Sequence, residues 1–325
     1  MTTKTAWGPD RRVVASGLGA AAIAGLAGGS AAAQTVGLEI IAAGQPGDGD
    51  DQLARAVAEG FGVTQLLPRA MAIDVPRTPD AAAEFLDGKR PRASLMVLSL
   101  SAVGALTIAG AAGRLRQFRP VARLIGERQP IVVRADSPYR TLDDLMAAIA
   151  RDPAAVRWAG RPLGSADHQL ALRLTKAAGA DPKRLSYRAA DTAARVAFWA
   201  LKGETPVATG ALLEFASQIR GGTLRALALA SPDRTPDIDI PTLREQGVDL
   251  AMLNWRGLVS RGAVSSALID RFGEAMLRVS RYPGWLQMLD QRFWANLYDE
   301  EDAFERFIAE EAAQVTRLLT EGGAI

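Results

Sequence analysis

At 325 residues, with 48% hydrophobic and 23% charged side chains, the chain has the length for two domains and a composition that buries ordinary cores instead of staying disordered. The formal charge is +2, and the first 33 residues hold Lys4, Arg11 and Arg12 against Asp10. The remainder is therefore balanced and offers no basic stripe for nucleic-acid phosphates. Cysteine is absent, which excludes disulfides and a lipid-modified N-terminal Cys, so stability rests on packing alone.

In chain order, Arg11 and Arg12 precede a weakly apolar, Gly/Ala-rich run from Val13 that ends in Ala31-Ala32-Ala33. A charged segment, an apolar segment and an A-x-A site predict an export signal over 1–33, cleaved after Ala33. A membrane anchor is the alternative, but six interruptions by Gly and Ser leave the run short of the roughly 20 apolar residues that span a bilayer. Adjacent arginines also fit a twin-arginine signal, and the export route stays open.

The mature chain then shows a junction twice: a strand, a small-residue loop and an amphipathic helix. The first runs from Leu38 to Phe61, with Pro46, Gly47 and Gly49 ahead of Asp51 and Leu53, Ala54, Val57, Ala58 and Phe61 at helical spacing. The second runs from Val156 to Gly179, with Gly160, Gly164 and Ser165 before a helix that Gly179 and Pro182 end. Free N–H groups at a helix N-terminus carry partial positive charge, so each junction is a candidate seat for a carboxylate or phosphate. Strand patterns at 39–43, 94–100, 130–135, 157–159, 224–230 and 257–260 alternate with helical ones at 51–60, 141–150, 167–178, 212–218, 267–280 and 301–319. Thr141 and Asp144 have the spacing of a capping box, with Asp where Glu or Gln is usual. The class is α/β.

Six blocks carry a resemblance to a known family: FRPVARL (118–124), VVRADSPYRTLDDL (132–145), GSADHQLAL (164–172), KAAGADPKRLSY (176–187), GALLEFASQIRGGTLRALALASPDR (210–234) and IPTLREQGVDLAMLNWRGLV (240–259). In order and spacing the chain resembles the periplasmic substrate-binding proteins of tripartite tricarboxylate transporters, the Bug-type receptors. The resemblance implies a two-lobed periplasmic-binding-protein type II fold with a ligand cleft between lobes. It divides the chain into lobe 1 at 34–130 plus 236–325 and lobe 2 at 131–235. It also implies a monomeric periplasmic receptor that takes a small organic acid and delivers it to membrane permease subunits, with no cofactor, no metal and no nucleic-acid partner.

Each residue that the resemblance assigns to the cleft also has a local reading. Pro46, Gly47 and Gly49 match the family's first ligand loop, or simply allow a turn. Asp51 is a ligand contact or an acid that complements the helix dipole. Asp48 and Asp50 depart from the family's small residues and would repel a carboxylate, unless they point to solvent or a nearby arginine compensates. In the second loop Gly160, Gly164 and Ser165 flank Arg161, which is either a carboxylate clamp or an exposed cation. His168, the only histidine, lacks a Cys or His companion for zinc and reads as a polar neighbour of the cleft or of Asp167.

Asp191, Thr192 and Arg195 stand where relatives have a glycine-rich loop, and Gly210 where strand turns to helix beside the cleft, with Glu214 following. Ser99 and Ser101 match a family position near the ligand or are turn formers. Pro76, Arg77, Thr78, Pro79 and Asp80 form a stiff, charged segment where relatives have a permissive glycine-rich loop. Trp255 packs near the hinge or lids the ligand. Acids at one junction with Arg77, Arg161 and Arg195 at other loops predict a polarised site, suited to a dipolar ligand or a monocarboxylate with a polar far end more than to a citrate-like trianion. No residue is assigned to catalysis: GxSxG and HExxH are absent, which argues against an exported hydrolase. Ligand presentation to a sensor kinase is the alternative to transport.

Overall fold

Hydrophobic spacing accounts for most of the elements that position the site. A computed structural model of the chain describes residues 38–65, 69–75, 79–91 and 93–325. The expectations placed on the export signal and on Pro76, Arg77 and Thr78 lie outside the described residues. The first half contains β1 (Glu39–Ala43), α1 (Gly49–Val63), β2 (Met71–Val75), α2 (Asp80–Leu86), β3 (Leu95–Ser99), α3 (Leu100–Ile108), β4 (Phe118–Glu127), β5 (Pro130–Arg134) and α4 (Leu142–Arg151). It continues through β6 (Trp158–Gly160), α5 (Ala166–Ala177), β7 (Tyr187–Ala189), α6 (Ala193–Lys202), β8 (Val207–Thr209), α7 (Leu212–Arg220) and β9 (Leu224–Leu229). The last part holds β10 (Asn254–Arg261), α8 (Ser266–Ser280), α9 (Pro283–Gln291), β11 (Trp294–Glu300) and α10 (Glu301–Glu321).

Two sheets result. One has six strands in the order β11-β4-β10-β3-β1-β2, and the other five in the order β7-β6-β8-β5-β9. Within the first, β1 runs parallel to β2 and β3, while β10 is antiparallel to β3 and β4. Within the second, β6 runs parallel to β7 and β8, while β5 is antiparallel to β8 and β9. The chain changes sheet after β4 and returns after β9. This is the two-lobed α/β fold expected from the sequence.

Burial explains the element types. All five residues of β3 are buried: Met96 and Leu98 join a core with α3 and α10, while Leu95 and Val97 join one with α1 and α8. A strand covered on both faces reads as an unbroken apolar run. In α1, Leu53, Ala54, Val57 and Phe61 form the buried stripe. The Thr141 capping box forms completely, with the Asp144 N–H donating to Oγ1 at 3.1 Å and the Thr141 N–H to Asp144 Oδ2 at 2.9 Å.

One core runs through both lobes, with Met96 on β3, Val103 on α3, Leu170 on α5, Val133 on β5 and Val315 on α10. Trp255 belongs to it: the ring is 2% exposed, packs edge-on against Phe304 and Phe307, and donates to Glu311 at 2.9 Å. The structure thus gives Trp255 core packing instead of a lid. Gly104 on α3 meets Gly164 ahead of α5 so closely that a Cβ on Gly104 would lie 1.9 Å from the Gly164 carbonyl oxygen. Gly164 also needs glycine for its φ of 83°.

Candidate functional site

Both junctions deliver a helix N-terminus to the space between the lobes. That space is a cavity of about 410 Å³, lined by the loop ahead of α1, α3, the loop ahead of α5, the start of α7 and the near end of β10. Of the residues expected there, Gly49, Ser101, Arg161, Ser165 and Asp191 line it. Ser99, Gly160, Gly164, His168 and Gly210 are buried next to it without lining it, and Pro46 and Gly47 are exposed outside it. Thr192 and Arg195 are exposed at the start of α6, where the Arg195 N–H donates to Thr192 Oγ1 at 3.3 Å.

The N–H groups that such helix starts offer are largely taken by the chain itself. The Gly47 N–H donates to Asp51 at 2.7 Å and the Arg161 N–H to Asp167 at 2.8 Å. The Gly164 N–H donates to His168 Nδ1 at 3.2 Å, the Ala166 N–H to Ser101 Oγ at 3.1 Å, and the His168 N–H to Ser165 Oγ at 3.3 Å. The Ala211 N–H donates to Glu214 at 3.2 Å, and the Ala102 N–H to Ser99 Oγ at 3.2 Å. Asp51 also pairs with Arg55 at 2.6 Å, which combines with the Gly47 bond to hold its carboxyl below the usual range despite burial. Burial holds His168 down at about 4, so the imidazole is neutral, edge-on to Tyr187.

Each departure at the first junction acquires its arginine. Asp48 pairs with Arg161 at 2.8 Å, joining the start of α1 to the loop ahead of α5. Asp50 pairs with Arg256 on β10 at 2.6 Å, and Arg256 also pairs with Glu127 at the end of β4 at 2.7 Å. Burial works against the Arg256 charge, but Glu127 and Asp50 outweigh it and raise its pKa. For Asp50 burial prevails over Arg256 and raises the carboxyl. Gly49 makes room for this pair, since a Cβ there would lie 2.1 Å from Arg256 Nη2 and 2.6 Å from Glu127 Oε1.

Asp167 and Glu214 complete the wall. Gln129 Nε2 donates to Asp167 at 2.7 Å, yet burial pushes the Asp167 carboxyl up to about 6. Burial, reinforced by the charges of Asp167 and Glu127, pushes Glu214 up to about 8. Among the described residues no three His, Cys, Asp or Glu groups are placed to hold a metal ion.

Glu127, Asn254 and Arg256 were missed from sequence because strand pairing, not proximity in the chain, assembles them: Asn254 sits opposite Glu127 and Arg256 opposite Ile125. No lone charge marked them in the sequence, since β4 also carries Arg119 and Arg123 and β10 also carries Arg261.

Comparison with known proteins then fixes the family, because the model described as "Tripartite tricarboxylate transporter family receptor" matches residues 113–323. The chain belongs to that family. A TctC solute-binding protein from Polaromonas superposes on this receptor with a TM-score of 0.71 at 24% identity, covering 89% of this chain and 99% of that one. MatC from Rhodopseudomonas palustris with bound malate gives 0.71 at 18% identity, covering 87% and 98%. These likenesses establish the fold. A Pseudomonas sp. (strain P51) protein described as a UPF0065 protein in the tcbD-tcbE intergenic region is 23% identical over 179 residues, which is 54% of this receptor and 52% of that relative.

Proposed function

We propose that this receptor is a monomeric periplasmic protein that captures a small organic solute between its lobes and delivers it to membrane permease subunits without altering it. The division into lobes at 34–130 plus 236–325 and 131–235 belongs to the same reading. The observation that carries it is the interlobe cavity of about 410 Å³, a volume suited to a small metabolite and lined from both lobes by charged side chains. Membership in a transporter-receptor family supports the partner, and the malate complex of the Rhodopseudomonas palustris relative sets organic acids as the reference class. Closure onto such a solute is a hinge motion, for which shape and charge complementarity suffice.

Calorimetry of the mature protein against a panel of small organic acids, amino acids and amines tests the reading, followed by mass spectrometry of the recovered ligand. One solute bound at micromolar affinity and returned intact is expected. Conversion of the solute, or no ligand in the whole panel, would remove the receptor assignment.

A further inference from the structure

The charges of the cavity do not suit a purely anionic solute. Six carboxyl groups line it, from Asp48, Asp50, Glu127, Asp167, Asp191 and Glu214, against the guanidinium groups of Arg161 and Arg256. Both guanidinium groups already pair with carboxylates of the chain, Arg161 with Asp48 and Arg256 with Asp50 and Glu127. The backbone donors of the second junction are occupied by Ser101, Asp167, Ser165 and His168.

An independent feature points the same way. Asn254 lines the cavity and is 7% exposed, and its Oδ1 has no hydrogen-bond partner. Its orientation follows from Nδ2, which donates at 2.9 Å to Glu127, an acceptor when ionised. A buried carbonyl oxygen without a donor keeps its desolvation cost uncompensated, which a donor on the solute relieves. Among the described residues no three His, Cys, Asp or Glu groups are placed to hold a metal ion, and an N–H group of an organic cation supplies the donor that this oxygen lacks. At the Arg161 end, Nη1 is buried without a hydrogen-bond partner and can receive a polar or anionic far end of the same solute.

We propose that the cavity contains a subsite for a cationic nitrogen, formed by Glu214, Glu127 and Asn254 Oδ1, so that the solute bears an ammonium group. This rests on the receptor reading above and names the chemistry of its ligand. The four-carbon set putrescine, γ-aminobutyrate and succinate changes only the end groups, from two ammonium groups through one of each sign to two carboxylates.

Calorimetry of wild type and Glu214→Gln with each probe at pH 9, above the Glu214 value of about 8 so that its carboxyl is ionised, is the test. An amine-bearing probe should bind wild type at least about tenfold more tightly than succinate, and Glu214→Gln should lose most of that margin while leaving succinate unchanged or better bound. Gln keeps an oxygen for the Ala211 N–H, and its far-UV circular dichroism and unfolding midpoint report whether the fold is retained. Succinate bound as tightly as the amines, an amine affinity within twofold in Glu214→Gln, or no binding by any probe would overturn the subsite. A purely anionic solute from the wider panel would then leave the receptor reading standing, whereas an empty panel would remove both.

Discussion

Replacing Arg256 by methionine tests whether the charge network under α1 holds this region together. Methionine approximates the arginine stem in volume, so the change removes mainly the guanidinium. Wild-type Arg256 is 6% exposed and lies 2.6 Å from Asp50 and 2.7 Å from Glu127. Its loss strands two buried carboxylates, and breaking a buried pair by removing one partner costs about 3–5 kcal/mol. A loss of about 4 kcal/mol is a large part of the roughly 5–15 kcal/mol that holds a domain folded. Urea unfolding at pH 7.5 measures it.

The deficit should shrink as the pH falls toward the ordinary carboxylate range, because burial already raises the Asp50 carboxyl and removing Arg256 raises it further, so protonation relieves the stranded charge. Adding Asp50→Asn and Glu127→Gln to Arg256→Met should restore much of the stability by removing the orphaned charges. A loss under about 1 kcal/mol, or a triple variant no more stable than the single one, would refute the reasoning.

Wild type should lose stability between about pH 4 and pH 8. Asp167 at about 6 and Glu214 at about 8 hold protons more tightly folded than unfolded, so their contribution is complete near pH 4 and is lost as pH rises through those values. For Asp167 the loss is on the order of 3 kcal/mol, and Asp167→Asn combined with Glu214→Gln should flatten the slope; urea unfolding across that range checks both. Asp51, Asp136, Asp144 and Glu245 are shifted downward and act in the opposite sense only below that window. Gly104→Ala places a Cβ 1.9 Å from the Gly164 carbonyl, so α3 and the loop ahead of α5 must separate by over 1 Å. It should destabilise by about 1–3 kcal/mol and weaken solute binding, read by unfolding and calorimetry. N-terminal sequencing of the periplasmic protein should begin at Gln34, whereas intact Met1 in the membrane fraction would reject the export signal.

Much of the architecture was legible in the residues. The strand at 39–43 and the helices after both glycine junctions follow from apolar spacing and local caps, which act within a few residues. Shorter or evenly apolar elements gave no such signal. Helix α3 is hydrophobic nearly all round and therefore shows no stripe, while β7 and β8 are three residues each. Strand β7, which opens at Tyr187, lies outside every strand pattern of the sequence.

Glycines at positions 49, 160 and 210 marked the site by sequence, but each makes room for the chain's own side chains, Arg256 with Glu127, Tyr187 with Asp167, and Glu214 with Phe215 respectively. The α/β class, the paired junctions, the family and the unusual acids beside the first helix are all readable from residue order, because they are properties of local spacing. Which arginines those acids meet, that Glu127, Asn254 and Arg256 share a wall with Glu214, and that the wall is acidic emerge from the folded arrangement. Charges distant in the chain become neighbours through strand pairing and the return crossing between sheets, and burial then sets the energy of those encounters.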